Sequence, residues 1–272
     1  MTGTAQHLRH RTVTLADGLR VHAVEQGDPA GPAVVLVHGW PDSWFSWSRV
    51  LPELDPRLHV LAYDQRGFGD SDHPPTGYSI DGLAEDLTGL CDAAGLHRPA
   101  LVGHSMGSFV VRRAVEQQPD RFARLVLIGS ADRMGPELVD EVRAELADLV
   151  DPVPLPFVRE FQASTLHLPV PPDFFEGLVA ESRKVPARVY RDVWEGLAAL
   201  DDRAELARIT VPTLVVWGAR DALFDRGQQD RLLAALPRAH HVVQEGAGHS
   251  PNWERPGELA VELNAFLLGR EG

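Results

Sequence analysis

A serine between two glycines is the feature of this sequence that most directly indicates chemistry. Residues 103–107 read GHSMG, so Gly103 and Gly107 each lie two positions from Ser105, immediately after the apolar run ALV. At a turn from a strand into a helix, this pattern forces the serine into a strained conformation and tolerates no bulk at the glycine positions. The same two glycines are also compatible with a tight turn that has no catalytic role. As part of a larger constellation, however, the pattern predicts a nucleophilic hydroxyl beside the unpaired N–H groups of a helix N-terminus.

A reactive serine needs a base, and the base needs an acid that orients it. His249 follows the last strand-like run, in EGAGHSPNW, and Asp221 follows the preceding run, in WGARDALF. Both side chains are therefore expected at the carboxyl edge of the sheet, in the order nucleophile, acid, base that is typical of this turn. Asp132, at the end of LVLIGSAD, is an alternative acid.

Short aliphatic runs separated by amphipathic stretches must position these residues. Runs without polar alternation are typical of strands buried on both faces, as in a parallel sheet. An alternating segment around Asp17-Gly18 predicts an antiparallel hairpin at the N-terminal edge. The fold class is therefore α/β, a doubly wound and mostly parallel sheet. The strand-like runs are 33–39, 59–64, 99–103, 124–130, 212–218 and 240–246, and the helical stretches include 81–95, 105–117, 226–236 and 257–268.

One long interval, residues 133–208, contains no strand-like run. It has helical patterning interrupted by the proline clusters DPVPLP (151–156) and LPVPP (168–172). A structureless loop of this length is improbable in a compact domain. We therefore predict a helical cap over 133–208, inserted after the sixth strand, and a core domain formed by 1–132 and 209–272.

Composition limits the partners and the compartment. The formal net charge of −13 disfavours nucleic acid and anionic membrane as partners, because both attract clustered Lys and Arg. Cys91 is the only cysteine, so no intrachain disulfide forms, and the N-terminus has no apolar signal segment. We predict a cytoplasmic protein that acts on a small molecule and does not bind membranes. No H-x3-H or HExxH spacing occurs, so we predict no metal and no cofactor. The oligomeric state is left open.

Five motifs in order carry a resemblance to the α/β-hydrolase superfamily, and it covers essentially the whole chain. They are HGWPDS (38–43), YDQRGFGDSD (63–72), GHSMG (103–107), WGARD (217–221) and GAGH (246–249). The resemblance implies that Ser105 is the nucleophile, Asp221 the acid and His249 the base. It also implies an oxyanion hole formed by the backbone N–H groups of Trp40 and Met106, which the alkoxide created by attack on a carbonyl requires.

The branch of the superfamily is narrowed by two residues. HGWPDS followed by a helical cap is similar to epoxide hydrolases and haloalkane dehalogenases, which use an aspartate nucleophile. Here Ser105 takes that position, and Tyr190 is the only tyrosine of the cap, so the pair of epoxide-opening tyrosines is absent. The resemblance then favours a serine esterase or lactonase that works through an acyl-enzyme. A cofactor-free haloperoxidase or perhydrolase and a carbon–carbon bond hydrolase share the triad and remain alternatives. A ligand-binding receptor or accessory protein without turnover is the alternative from another class.

The aromatic side chains of the cap predict a mainly apolar pocket above Ser105, because small-molecule sites are usually lined in this way. Trp40 is expected in its wall. The other candidate pocket residues are His38, Asp42, Phe161 and Trp194. His38 is also typical of a hydrogen-bonded scaffold residue. Such a pocket favours a small to medium, uncharged or weakly charged hydrophobic acyl or lactone substrate.

Overall fold

The structure is a computed structural model that describes residues 8–236 and 238–269. In this part of the chain eight strands form one sheet, in the order β1-β2-β4-β3-β5-β6-β7-β8. The strands are β1 (Arg9–Thr14), β2 (Arg20–Gly27), β3 (Ala33–Val37), β4 (His59–Tyr63), β5 (Ala100–His104), β6 (Arg124–Ile128), β7 (Thr213–Gly218) and β8 (Ala239–Gln244).

Helices lie on both faces of this sheet and in the long interval before β7. They are α1 (Ile80–Ala93), α2 (Met106–Gln117), α3 (Pro136–Leu146), α4 (Leu155–Ser164), α5 (Pro172–Ser182), α6 (Ala187–Ala198), α7 (Arg226–Ala235), α8 (Pro251–Glu254) and α9 (Pro256–Leu267). Short 3-10 helices cover Trp44–Trp47, Leu51–Glu53, Pro119–Arg121 and Leu206–Arg208. None of the helices within 8–236 and 238–269 has the length and apolarity needed to cross a membrane.

The strand directions confirm the predicted fold class. β1 pairs with β2, and β2 with β4, in antiparallel orientation. The pairings from β4 through β3, β5, β6 and β7 to β8 are parallel. The hairpin predicted at Asp17-Gly18 is the turn between β1 and β2, and the aliphatic runs are the strands of the parallel part.

Alternate residues of each central strand face opposite layers of the core, as the pleat requires. In β3, Val35 and Val37 join the cluster that includes α1 and α2, whereas Val34 and Leu36 join the cluster that includes α9. Every residue of β5 and of β7 is buried. Burial on both faces explains why these strands are continuous apolar runs.

The register aligns the ends of the parallel strands at one edge of the sheet. Val37 pairs with Gly103, His104 with Ile128, and Gly218 with Gln244. The loops that leave β3, β5, β6, β7 and β8 therefore begin next to one another. This edge is where ligands bind in open α/β sheets.

The segment 133–208, predicted above as an inserted cap, contains α3, α4, α5 and α6. α3 packs against α6, and α4 packs against α5. The chain leaving α6 is tied to α2 by a buried ion pair, in which Arg112 donates to both oxygens of Asp202 at 2.7 Å. Both side chains are fully buried, so the pair fixes the return path of the chain beneath α2. The boundaries of the two predicted domains stay a prediction.

Candidate active site

The turn between β5 and α2 holds Ser105 in an unusual backbone conformation. Its φ is 52° and its ψ is −122°, and it is the residue that precedes the first turn of α2. The two glycines are required by close backbone packing. A Cβ on Gly103 would lie 2.3 Å from the carbonyl oxygen of Gly107, and one on Gly107 would lie 2.3 Å from that of Val37. The turn has the strained geometry that its sequence predicts.

The structure brings His249 and Asp221 together at the same edge. Nδ1 of His249 lies 2.9 Å from Oδ2 of Asp221, and both side chains are buried. Oδ1 of Asp221 accepts hydrogen bonds from the amides of Leu223 and Phe224 at 2.8 and 3.0 Å. Because a carboxylate only accepts hydrogen bonds, Nδ1 of His249 carries the hydrogen. The other ring nitrogen is therefore left with a lone pair.

That second nitrogen, Nε2 of His249, is buried and has no hydrogen-bond partner within the described residues. Its loop is fixed by neighbouring groups: Nε2–H of His104 donates to the backbone oxygen of His249 at 3.1 Å. Burial lowers the pKa of His104 to about 3, so its ring stays neutral. His104 therefore positions the loop that carries His249.

Asp132, the alternative acid, has a different partner. Its Oδ2 accepts a hydrogen bond from Nε of Arg231 at 3.0 Å, whereas the His249 ring is engaged by Asp221. Asp132 is buried, and the Arg231 side chain is more than half exposed. The geometry therefore favours Asp221 as the carboxylate that orients the histidine.

A cavity of about 690 Å³ lies above this edge. Ser105 and Met106 line it from the core, and helices α3, α4 and α6 supply much of the remaining wall. Its aromatic lining consists of Trp40, Phe157, Phe161, Trp194 and Phe224. The cavity is within the size range of small-molecule sites and is mainly apolar.

The segments that carry Trp40 and Met106 meet at Ser105. Met106 is the first residue of α2, and neither amide donates a hydrogen bond to another group in the described ranges. A Cβ on Gly39 would be 3.1 Å from Cβ of Ser105, so the loop that carries Trp40 passes directly against the serine. Ser105 is thus flanked by the start of α2 and by the loop after β3, and an oxyanion requires two donors such as the amides that these segments carry.

The four remaining pocket residues divide into two pairs. Phe161 and Trp194 line the cavity and contact Trp40, with ring centroids 4.8 and 5.1 Å away. His38 and Asp42 do not belong to the lining. For these two residues the structure corrects the sequence interpretation, because each is held by a partner beneath the cavity.

His38 is a scaffold residue. It donates from Nδ1 to the carbonyl of Gly39 at 2.7 Å, and Nε2 accepts from the amide of Gln65 at 3.0 Å. Burial lowers its pKa to about 4, so both ring nitrogens are used in the neutral form. The histidine thereby joins the loop after β3 to the loop after β4.

Asp42 is buried and bonded to the helical segment 133–208. Its Oδ1 accepts from Nε2 of Gln162 on α4 at 2.9 Å, and the same amide nitrogen donates to Oγ of Ser182 at 2.7 Å. Burial raises the pKa of Asp42 to about 7, against the opposing effects of the Gln162 hydrogen bond and of His249. The sequence gives no indication of the role of Gln162, because a single glutamine on an amphipathic helix carries no signal of burial.

One cluster has the side chains of a metal site. Ligand atoms of His22, Asp64 and Asp70 lie within 4.8 Å of one another. However, Oδ2 of Asp64 accepts from His22 and from the amide of Asp70, Oδ1 accepts from the amide of Trp44, and Asp70 pairs with Lys184. These carboxylates therefore fix the loop after β4 through hydrogen bonds and an ion pair.

Comparisons with known proteins identify the family of the fold. A family model described as alpha/beta hydrolase fold covers residues 32–256. Epoxide hydrolase A from Mycobacterium tuberculosis is 29% identical over 94% of this chain and 96% of its own length. A non-heme chloroperoxidase from Streptomyces lividans is 32% identical over 94% of this chain and 99% of its own. The solved structure of a thermophilic esterase from Thermogutta terrifontis superimposes with a TM-score of 0.84, at 27% identity, over 96% of this chain and 98% of that one.

Proposed function

Because the chain belongs to the α/β-hydrolase family, we propose that it is a serine hydrolase that cleaves a small to medium hydrophobic carboxylic ester or lactone. The observation that carries the proposal is Nε2 of His249, which is buried and has no partner among the described residues, while Asp221 fixes the ring through Nδ1. A lone pair in this position is the general base that a serine hydroxyl needs. We also propose that α3 to α6 form a cap over the cavity.

In this mechanism Oγ of Ser105 attacks the carbonyl carbon while Nε2 of His249 takes the hydroxyl proton. The carbonyl electron pair moves onto oxygen, which accepts hydrogen bonds from the amides of Trp40 and Met106. When the carbonyl re-forms, the bond to the alkoxy oxygen breaks, and His249 returns the proton to that oxygen. Asp221 stabilises the charged imidazole throughout.

The acyl-enzyme is then hydrolysed by the same groups in reverse roles. His249 takes a proton from water, the resulting hydroxide adds to the acyl carbon, and the same two amides bind the oxyanion. Collapse breaks the bond to Oγ, and Ser105 recovers its proton from His249. Water is the second substrate of the cycle, and the proton passes through His249 in both halves.

The same residues argue against epoxide opening. Resemblance to epoxide hydrolases implies an aspartate nucleophile, and this chain has Ser105 in its place. Tyr190, the single tyrosine of 133–208, donates its hydroxyl to the carbonyl of Ser182 at 2.8 Å and is fully buried. Its hydroxyl is therefore committed to the packing of α5 against α6.

Labelling with a fluorophosphonate, followed by peptide mass spectrometry, tests the proposal. We expect modification of Ser105 alone, and loss of both labelling and p-nitrophenyl ester turnover in Ser105→Ala. The matched control is Ser164→Ala, because Ser164 lines the same cavity but lies outside the strained turn and bonds the carbonyl of Phe161. Full turnover by a folded Ser105→Ala variant would refute the assignment.

The substrate panel separates the alternatives that use the same triad. Esters and lactones are compared with peroxide plus halide and with carbon–carbon bond substrates. Turnover confined to the peroxide arm would favour a perhydrolase or haloperoxidase. A stoichiometric burst without turnover would favour a ligand-binding protein.

A further inference from the structure

The charge of the cavity lining is of one sign. Among the residues that line it in the described chain, the ionisable side chains are three glutamates: Glu141 and Glu145 on α3, and Glu160 on α4. All three are exposed, so they lie at the mouth, whereas Ser105 lies at the inner end. No Lys, Arg or His side chain lines the cavity alongside them.

These carboxylates have no cationic partner in the described structure, although arginines occur on the same helices. Arg143 of α3 is bonded to Glu195 and Asp140. Arg159 of α4 is bonded to Glu176. Glu141 and Glu145 are also spaced four residues apart on one helix, where like charges repel each other. The rim is therefore an uncompensated negative site.

The inner part of the cavity also offers a polar group to a ligand. Nε1–H of Trp40 is buried and has no acceptor within the described residues, although a buried polar group normally has a partner. Because it is a hydrogen-bond donor, it suits an oxygen of the ester, whereas the aromatic rings around it suit the amine. Trp40 belongs to the cavity lining, which also contains the faces or edges of four further aromatic rings. Aromatic faces attract alkylammonium groups, most strongly where water is excluded.

We propose that the substrates preferred by this site are cationic esters, in which one half of the ester carries a quaternary or protonated amine. The amine lies between the glutamate rim and the aromatic wall, and the ester carbonyl reaches Ser105. This inference rests on the proposed function and refines it: the sequence alone suggests an uncharged or weakly charged substrate, whereas the lining selects a positive one. A negatively charged ester of the same size is disfavoured by the same three carboxylates.

The test compares two esters of one shape. Butyrylcholine carries a trimethylammonium group, and 3,3-dimethylbutyl butyrate carries the uncharged tert-butyl group in its place. We expect kcat/KM to favour the cation on the order of tenfold at about 0.01 M ionic strength, and the ratio to fall toward one at about 1 M, where the Debye length is short. A monosuccinate ester should be the poorest substrate.

Charge-removing variants localise the effect. Glu141→Gln, Glu145→Gln and Glu160→Gln together should bring the cation-to-neutral ratio close to one. The control removes the same three charges far from the cavity, through Glu53→Gln, Glu85→Gln and Glu245→Gln, which are exposed and line no part of it. This control should keep the ratio and the basal activity of the unmodified protein.

The outcomes separate the inference from the function on which it rests. If the neutral ester is turned over equally well or better at low salt, or if the two triple variants have equal effects, the proposed preference for cationic esters is wrong. The proposal that the protein is a hydrolase is unaffected by these two results. If neither ester is hydrolysed, labelling of Ser105 and p-nitrophenyl ester turnover decide whether the hydrolase proposal stands, and calorimetry with Ser105→Ala decides whether the site prefers a cation. Tighter binding of choline than of 3,3-dimethylbutanol supports it, and equal binding overturns it.

Discussion

Replacing Asp221 with asparagine tests how the carboxylate controls the histidine. In the folded protein Oδ1 of Asp221 accepts two backbone amides and Oδ2 accepts Nδ1–H of His249. An asparagine has one oxygen, which the two amides would bind. Its NH2 group would then face Nδ1 and force the hydrogen of the ring onto Nε2. With that hydrogen in place the imidazole cannot take a proton from Ser105.

We therefore expect Asp221→Asn to lower kcat by about 10⁴-fold, which is about 5 kcal/mol of transition-state stabilisation. The matched control is Asp132→Asn, since Asp132 is the other candidate acid and bonds Arg231. It should change kcat/KM by less than about threefold. The assay is p-nitrophenyl butyrate turnover between pH 6 and 9, with the unfolding midpoint of each variant as the folding control. A severe loss in Asp132→Asn together with a mild one in Asp221→Asn would refute the reasoning.

Three further predictions concern two buried aspartates, which affect stability, and one glycine of the turn at Ser105, which affects labelling. Asp202→Asn should lower the free energy of unfolding by about 3–5 kcal/mol, because it leaves the charge of a fully buried arginine unpaired. Urea unfolding measures this change. The control is Asp201→Asn, an exposed neighbour, which should leave the midpoint nearly unchanged. Burial raises the pKa of Asp42 from 3.8 to about 7, so the folded protein holds a proton that the unfolded chain has released. The free energy of unfolding should therefore fall as the pH rises from about 4 to 7, by at most about 4 kcal/mol, and Asp42→Asn should flatten that slope. Gly103→Ala should abolish fluorophosphonate labelling, since its Cβ would lie 2.3 Å from a backbone carbonyl oxygen, whereas Gly135→Ala, with open space around its Cβ, should not. If Asp42→Asn keeps the pH dependence of the unmodified protein, the argument from the pKa of Asp42 is wrong. If Gly103→Ala is labelled fully, the argument from close backbone packing is wrong.

Much of the fold could be predicted because its signals are local. A strand such as β5 is buried on both faces, so its own residues are apolar without interruption. The turn at Ser105 is equally local, since the close contacts that exclude side chains lie at Gly103 and Gly107. His249 and Asp221 could be placed at one edge because both follow parallel strands, and the carboxyl ends of such strands share that edge.

The cavity could not be predicted in the same way, because its wall depends on how separate helices face each other. Glu141 reads as an ordinary solvent-facing residue of α3, and only the placement of α3 and α4 around one cavity makes it part of a rim. Asp42 and Gln162 are 120 positions apart, and their hydrogen bond draws Asp42 away from the pocket that the sequence suggested for it. Periodicity indicates which face of a helix is polar, but it does not indicate what lies opposite.

The backbone of Ser105 also sets a conflict between folding and reactivity. A non-glycine residue at φ 52° and ψ −122° raises the free energy of the folded state by on the order of 1–3 kcal/mol. Glycine adopts this region freely, so Ser105→Gly should be more stable than Ser105→Ala, although both lack the hydroxyl. The residue that folding alone would select at this turn is thus one that cannot form an acyl-enzyme. At Ser105 the protein is therefore less stable than its topology allows, and this is the position where covalent chemistry is proposed to occur.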